Sequence, residues 1–178
     1  MSMPSSGILS IGEVNALASE QFEWLFGNAI EHCPEAARQV AATRPFRKVE
    51  DLKIAFDDYL DGLEENEKES VLRKHPDLAG KLCEEGKLTA ESQNEQRSAG
   101  LDKMTKEERQ TLTNNNYLYK EKFQFPFIIC ARENRVPAIL EGIETRLTNS
   151  RDDELATSIE EVKKICRIRI GDLVWPDP

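Results

Sequence analysis

Apolar residues recur at helical spacing along almost the whole chain. Phe22, Leu25, Phe26, Ala29, Ile30 and Cys33 follow the i, i+3, i+4, i+7 stripe behind Ser19 as N-cap, and Pro34 stops or resets the helix. A short helix can follow over 35–43, ended by Arg44-Pro45, because the residue before proline avoids helical angles. A longer stripe carries Val49, Leu52, Phe56, Tyr59, Leu60 and Leu63. Asn66 with Glu69 is a weaker capping box for a helix through Val71 and Leu72, which must break near Pro76. Thr89 caps a helix ending at Gly100, and Thr105 with Glu108 is a good capping box for a long helix to about Lys122. Ile139, Ile143 and Leu147 mark another, and Ser150 with Asp153 caps the last, through Leu155, Ile159, Val162, Cys166 and Leu173.

The period fails only from Phe123 to Ala131, an aromatic and β-branched run around Pro126. This reads as buried extended chain and not as a sheet. With no repeats or low-complexity linkers, the expected architecture is all-α, a single-domain bundle of about seven to eight helices with one buried extended segment. The expected limits are an N-terminal extension over 1–16, the helical domain over 17–173 and a tail over 174–178.

Composition narrows the function. A chain of 178 residues, 39% hydrophobic and 32% charged, is long enough to bury a core without disulfides or metal. A net charge of −9 repels polyanions, so nucleic acid and anionic membrane surfaces are not expected partners. Cys33, Cys83, Cys130 and Cys166 are widely spaced, and two histidines cannot complete a metal set with them. Reduced, mostly buried thiols in an intracellular compartment are the expectation. No run reaches the ~20 apolar residues of a membrane span, and the first ten residues lack the order of a secretory signal. The chain is therefore expected to be soluble and not secreted.

His32, between the stripe positions Ile30 and Cys33, reads as an ordinary histidine at a helix surface or edge. His75 opens His75-Pro76-Asp77-Leu78-Ala79-Gly80, a rigid corner after a helix C-terminus, where the macrodipole favours an imidazolium. The position suits an acid or base, although a structural histidine is an equal reading of the residues alone. In Glu91-Ser92-Gln93-Asn94-Glu95-Gln96, the residues Ser92, Glu95 and Gln96 share one helix face. A solvated polar face is the simpler account of such a run by itself. There is no nucleophile elbow and no glycine-rich phosphate loop.

Four blocks in order resemble the OHCU decarboxylase family, from about Leu17 to Leu173. They are Arg44-Pro45-Phe46, the corner from His75 to Gly80, the run from Glu91 to Gln96 followed by Ala99-Gly100, and Tyr119-Lys120 leading into Phe123-x-Phe125-Pro126-Phe127-Ile128-Ile129-Cys130-Ala131-Arg132. Glu160 to Cys166 and the arginine in Ile168-Arg169-Ile170 match as well. The resemblance implies decarboxylation of 2-oxo-4-hydroxy-4-carboxy-5-ureidoimidazoline (OHCU) to (S)-allantoin in urate degradation. It also implies no cofactor, no metal and a homodimer. Its catalytic pair falls on His75 and Glu95. Substrate contacts fall on Pro76, Ser92, Gln93, Asn94, Glu95, Gln96, the main chain of Phe127, Ile128, Ile129, Cys130 and Ala131, and Arg169, with Arg167 two residues out of frame. Localisation is peroxisomal by resemblance, although Pro176-Asp177-Pro178 is not a Ser-Lys-Leu address, and otherwise cytoplasmic. The contrasting readings are a non-catalytic helical module that binds ureido compounds or a partner protein, and a related enzyme acting on another ureido compound or purine-derived ring.

Overall fold

In the computed structural model, which describes residues 8–178, the ordered backbone consists of ten α-helices and two 3-10 turns, with no sheet among the described residues. They are α1 (Ile11–Ala16), α2 (Ser19–Phe26), α3 (Pro34–Ala41), α4 (Val49–Asp61), α5 (Glu65–Arg73), α6 (Lys81–Glu84), α7 (Ala90–Ser98), α8 (Lys106–Phe123), α9 (Val136–Arg146) and α10 (Arg151–Leu173). The all-α class agrees with the expectation. The count is higher because α1 and α6 are too short to display a periodic stripe.

Capping chemistry sets most boundaries where it was read. Thr89 accepts the Ser92 amide at 3.2 Å, Thr105 and Glu108 form a reciprocal box, and Ser150 accepts the Asp153 amide at 3.1 Å. Three boundaries differ. Ser19 is the first residue of α2 and Ala18 is its N-cap, its amide donating to the Gln21 side chain at 3.0 Å. That helix ends at Phe26, yet Ala29, Ile30 and Cys33 remain buried along the non-helical chain before Pro34. The stripe marked burial beyond the point where it marked helix. Asn66 lies inside the first turn of α5 and does not cap it.

The described chain divides into two compact units. One contains the residues up to Glu64 and from Lys163 onward, and holds α1 to α4 with the C-terminal part of α10. Its aromatic core joins Phe22, Phe26 and Phe56, with ring centroids 4.7 and 6.3 Å apart in sequence. Arg44 lies over the Phe22 ring and donates to the carbonyls of Val14, Leu17 and Ala41, satisfying the ends of α1 and α3. Phe46 exchanges two 2.8 Å hydrogen bonds with the Asn15 side chain. The Arg44-Pro45-Phe46 block is thus a clasp for helix ends. Leu9 pairs with the chain at Leu173 and Trp175, and the Asp177 carboxylate accepts the Val49 and Glu50 amides at the start of α4.

The second unit, Glu65–Val162, holds α5 to α9 and the N-terminal part of α10. Tyr119, Phe123, Phe125 and Phe127 pack ring against ring in its core, with centroids 4.5 to 6.1 Å apart.

Candidate functional site

The corner after α5 is fixed from several directions. His75 is 9% exposed, and its Nδ1 lies 3.1 Å from the carbonyl of Val71 in the last turn of that helix. A carbonyl only accepts, so Nδ1 is the donor in this contact and carries a proton. The Leu78 carbonyl accepts from the Asn116 side-chain amide at 3.2 Å, and Asp77 meets Lys120 at 3.1 Å, both partners being on α8. Ala79 adopts φ +50°, and its amide donates to Gln96 Oε1 at 2.9 Å. At Gly80 a β-carbon would stand 2.7 Å from the β-carbon of Asp77, so the tight turn requires glycine.

Gln96 therefore ties α7 to the corner that carries His75. Ser92 and Gln96 are buried and Glu95 is half-buried on one side of α7, while Gln93 and Asn94 are exposed. Helix α7 packs on the 3-10 turn Ala131–Glu133, directly after the extended segment. Burial, with the carboxylates of Glu133, Glu161 and Glu95 adding to it, pushes the Cys130 thiol up to about 11. The Glu95 charge is thus felt at Cys130.

From Gln124 to Cys130 the chain is irregular, and all but Gln124 and Ile129 are buried, as expected for an extended segment that is not a sheet. Its polar backbone is not wholly available to a ligand. Arg146 donates from Nη1 to the Ile128 carbonyl at 2.6 Å, Glu161 accepts the Cys130 amide at 3.1 Å, and Asn134 donates to the Cys130 carbonyl at 2.9 Å. Arg146 is itself held by Glu154 at 2.7 Å and Ser158 at 3.1 Å, and it covers the Phe127 ring at 4.5 Å. Tyr119 donates to the same Glu154, which is fully buried. Burial and this bond push the phenol well above its ordinary range.

The sequence reading singles out neither Arg146 nor Glu154, and Glu161 enters it only within the matching run from Glu160 to Cys166. The available signal was spacing: Arg146 continues the apolar face of Ile139 and Ile143, and Glu154, Ser158 and Glu161 form a buried polar stripe on α10.

A cavity of about 380 Å³ meets His75 beside Arg73, Asp77, Lys120 and Gln124, and the α7 side chains do not line it. Arg169 belongs to the other unit, where Asn28 accepts from it at 2.7 Å and Glu31 pairs with it at 3.3 Å. Arg167 pairs with Asp57 and Glu50. His32 is exposed. Among the described residues no group of three or more His, Cys, Asp or Glu side chains is arranged to hold a metal ion, and no helix is long and apolar enough to cross a membrane.

Residues 15–171 match the family described as OHCU decarboxylase. A 2-oxo-4-hydroxy-4-carboxy-5-ureidoimidazoline decarboxylase from Xenopus laevis is 42% identical over 165 residues, 93% of this chain and 94% of the relative. Two solved structures share the fold. The crystal structure of (S)-allantoin synthase aligns with a TM-score of 0.76 at 18% identity, covering 93% of this chain, which spans about half (54%) of that one. OHCU decarboxylase in the presence of (S)-allantoin aligns with a TM-score of 0.68 at 23% identity, over 88% and 98% of the two chains.

Proposed function

The chain belongs to the OHCU decarboxylase family, and on that premise we propose that it decarboxylates OHCU to (S)-allantoin in urate degradation without a cofactor. The observation that carries the catalytic assignment is the placement of the His75 imidazole, which is oriented by the Nδ1 hydrogen bond to the Val71 carbonyl and lines the cavity beside Asp77 and Lys120, where an acid or base can meet a ligand.

The substrate supplies its own electron sink. Carbon 4 bears the hydroxyl and the carboxylate, and carbon 5 belongs to an imine. When the bond to the carboxylate breaks, its electron pair forms the double bond between carbons 4 and 5, and the imine pair moves to nitrogen, which takes a proton. Carbon dioxide leaves an enol, and loss of the enol proton with protonation of carbon 5 gives allantoin. The protein has to hold the ring, desolvate the carboxylate and move protons.

In this reading His75 exchanges a proton with the 4-hydroxyl region through Nε2, and Glu95 orients ring or ureido N–H groups. Ser92 and Gln96 meet the amide edges of the ring. Because the Gln96 carbonyl is engaged by Ala79, its NH2 is the group turned to substrate. With Gln93 and Asn94 facing solvent, side-chain contact from α7 falls to Ser92, Glu95 and Gln96. Pro76 shapes the corner, and the main chain of Phe127 to Ala131 supplies further partners. Family membership further supports a homodimer and a peroxisomal location, with the cytoplasm as the alternative.

Freshly generated OHCU mixed with chelator-treated, dialysed protein tests the reading. Accelerated loss of substrate absorbance with release of carbon dioxide is expected. Binding without acceleration would instead fit a module that recognises ureido compounds.

A further inference from the structure

We propose that Arg146 and Glu161 are positioning residues that hold the two peptide groups of Ile129 as a donor and acceptor pair for a ureido or lactam edge. The inference deepens the decarboxylase reading and rests on it for the identity of the ligand.

Both anchors act on the neighbours of Ile129. Arg146 holds the Ile128 carbonyl at 2.6 Å, and Glu161 holds the Cys130 amide at 3.1 Å. The peptide bonds here are trans, so the carbonyl and N–H of one peptide plane point in opposite directions. Fixing the Ile128 carbonyl toward Arg146 therefore turns the Ile129 N–H away from it. Fixing the Cys130 N–H toward Glu161 likewise turns the Ile129 carbonyl away.

Three further observations agree. The Ile129 N–H and carbonyl make no hydrogen bond among the described residues, although their neighbours on both sides do. Ile129 is the one residue between Phe125 and Ala131 that is not fully buried. Its side chain packs on α9, where a β-carbon at Gly142 would already lie 3.5 Å from Ile129 Cδ1. A side chain seated there and two clamped neighbours leave the Ile129 backbone little freedom. A pre-oriented N–H and C=O match the alternating acceptors and donors of a cyclic urea. The anchors are themselves braced, since Arg146 is fixed by Glu154 and Ser158 and stacks on Phe127.

Glu161→Ala, Glu161→Gln and Arg146→Lys test the assignment. Glutamine keeps an oxygen that accepts the Cys130 amide, whereas alanine does not. Lysine keeps a cation opposite Glu154 but cannot fork to Ile128, Glu154 and Ser158 together. For Glu161→Ala the expected result is a KM for OHCU and a Kd for allantoin each raised about tenfold, with kcat changed less and glutamine restoring both. Arg146→Lys should shift KM in the same direction.

The amide resonance of Ile129, followed by NMR without ligand, should move and lose order in Glu161→Ala but not in Glu161→Gln. Folded Glu161→Ala protein with unchanged KM and an unchanged Ile129 resonance overturns the proposal. If the wild-type chain fails to turn over OHCU, the decarboxylase reading falls, while the Ile129 resonance still decides whether Glu161 sets this backbone.

Discussion

Gln96 on α7 accepts the amide of Ala79 at 2.9 Å, and this bond locks a residue at φ +50° in the corner that begins with His75. Replacing Gln96 with alanine leaves a buried N–H without its acceptor, a loss of about 1–3 kcal/mol. We expect Gln96→Ala to lower the thermal midpoint and reduce turnover, while Gln96→Glu, which retains an acceptor oxygen, recovers most of the midpoint. An unchanged midpoint for the alanine variant would mean that the corner holds its shape without α7.

The helices around this corner were legible wherever local chemistry sets them. Thr105 and Glu108 placed the start of α8 through two reciprocal hydrogen bonds within one turn. The stripe from Phe22 to Cys33 overshot because burial, which the pattern reports, continues after α2 has ended at Phe26. The aromatic run near Pro126 showed by its failed period that it would be buried without helix or sheet. What could not be read were bonds between residues distant in the chain. Nothing local to Arg146 reveals that its guanidinium meets Ile128, and nothing local to Glu161 reveals Cys130. These long-range bonds are why only part of the main chain over 127–131 is open to a ligand.

His75→Ala and Glu95→Ala should each lower turnover about 10²-fold or more, the usual scale for acid–base groups. Losing the bond to Val71 should cost His75→Ala about 1 kcal/mol of stability. Steady-state rates and thermal unfolding measured on the same samples check this. His32→Ala serves as the comparison, since that side chain is exposed and has no chemical role here. Near-normal turnover in a folded His75 or Glu95 variant would remove that residue from the mechanism.

The pH dependence of stability has a contributor outside the site. The Val49 amide binds the Asp177 carboxylate and, against the opposing effect of burial, holds it below its ordinary value of 3.8, with the Glu50 amide, Lys48 and Lys53 assisting. A carboxyl depressed in the folded chain contributes stability above its unfolded value, and that contribution disappears as pH falls through the folded one. Between about pH 5 and pH 2, wild-type protein should therefore lose more stability than Asp177→Asn. Parallel acid-unfolding curves would show that this carboxylate does not cap α4 in solution.

Thiol reactivity should follow burial. Cys130, pushed up to about 11, is almost wholly protonated near neutral pH, whereas Cys83 is only partly buried. Alkylation of the native protein followed by mass spectrometry should label Cys83 well before Cys130, Cys33 or Cys166. Early labelling of Cys130 would mean that the segment beside Glu161 opens readily.

Stereochemistry tests the central claim most directly. After carbon dioxide leaves, carbon 5 is trigonal, and protonation by bulk water from both faces gives a racemate. A ring held by Ser92, Glu95, Gln96 and the backbone of Phe127 to Ala131 offers one face to the proton donor. A difference of about 2.7 kcal/mol between the two barriers already gives roughly a hundredfold preference. The measurement is circular dichroism of the product formed from fresh OHCU in heavy water, sampled before allantoin racemises. The account predicts a growing signal of the S enantiomer with deuterium at carbon 5, and accelerated substrate loss that yields racemic product would contradict it.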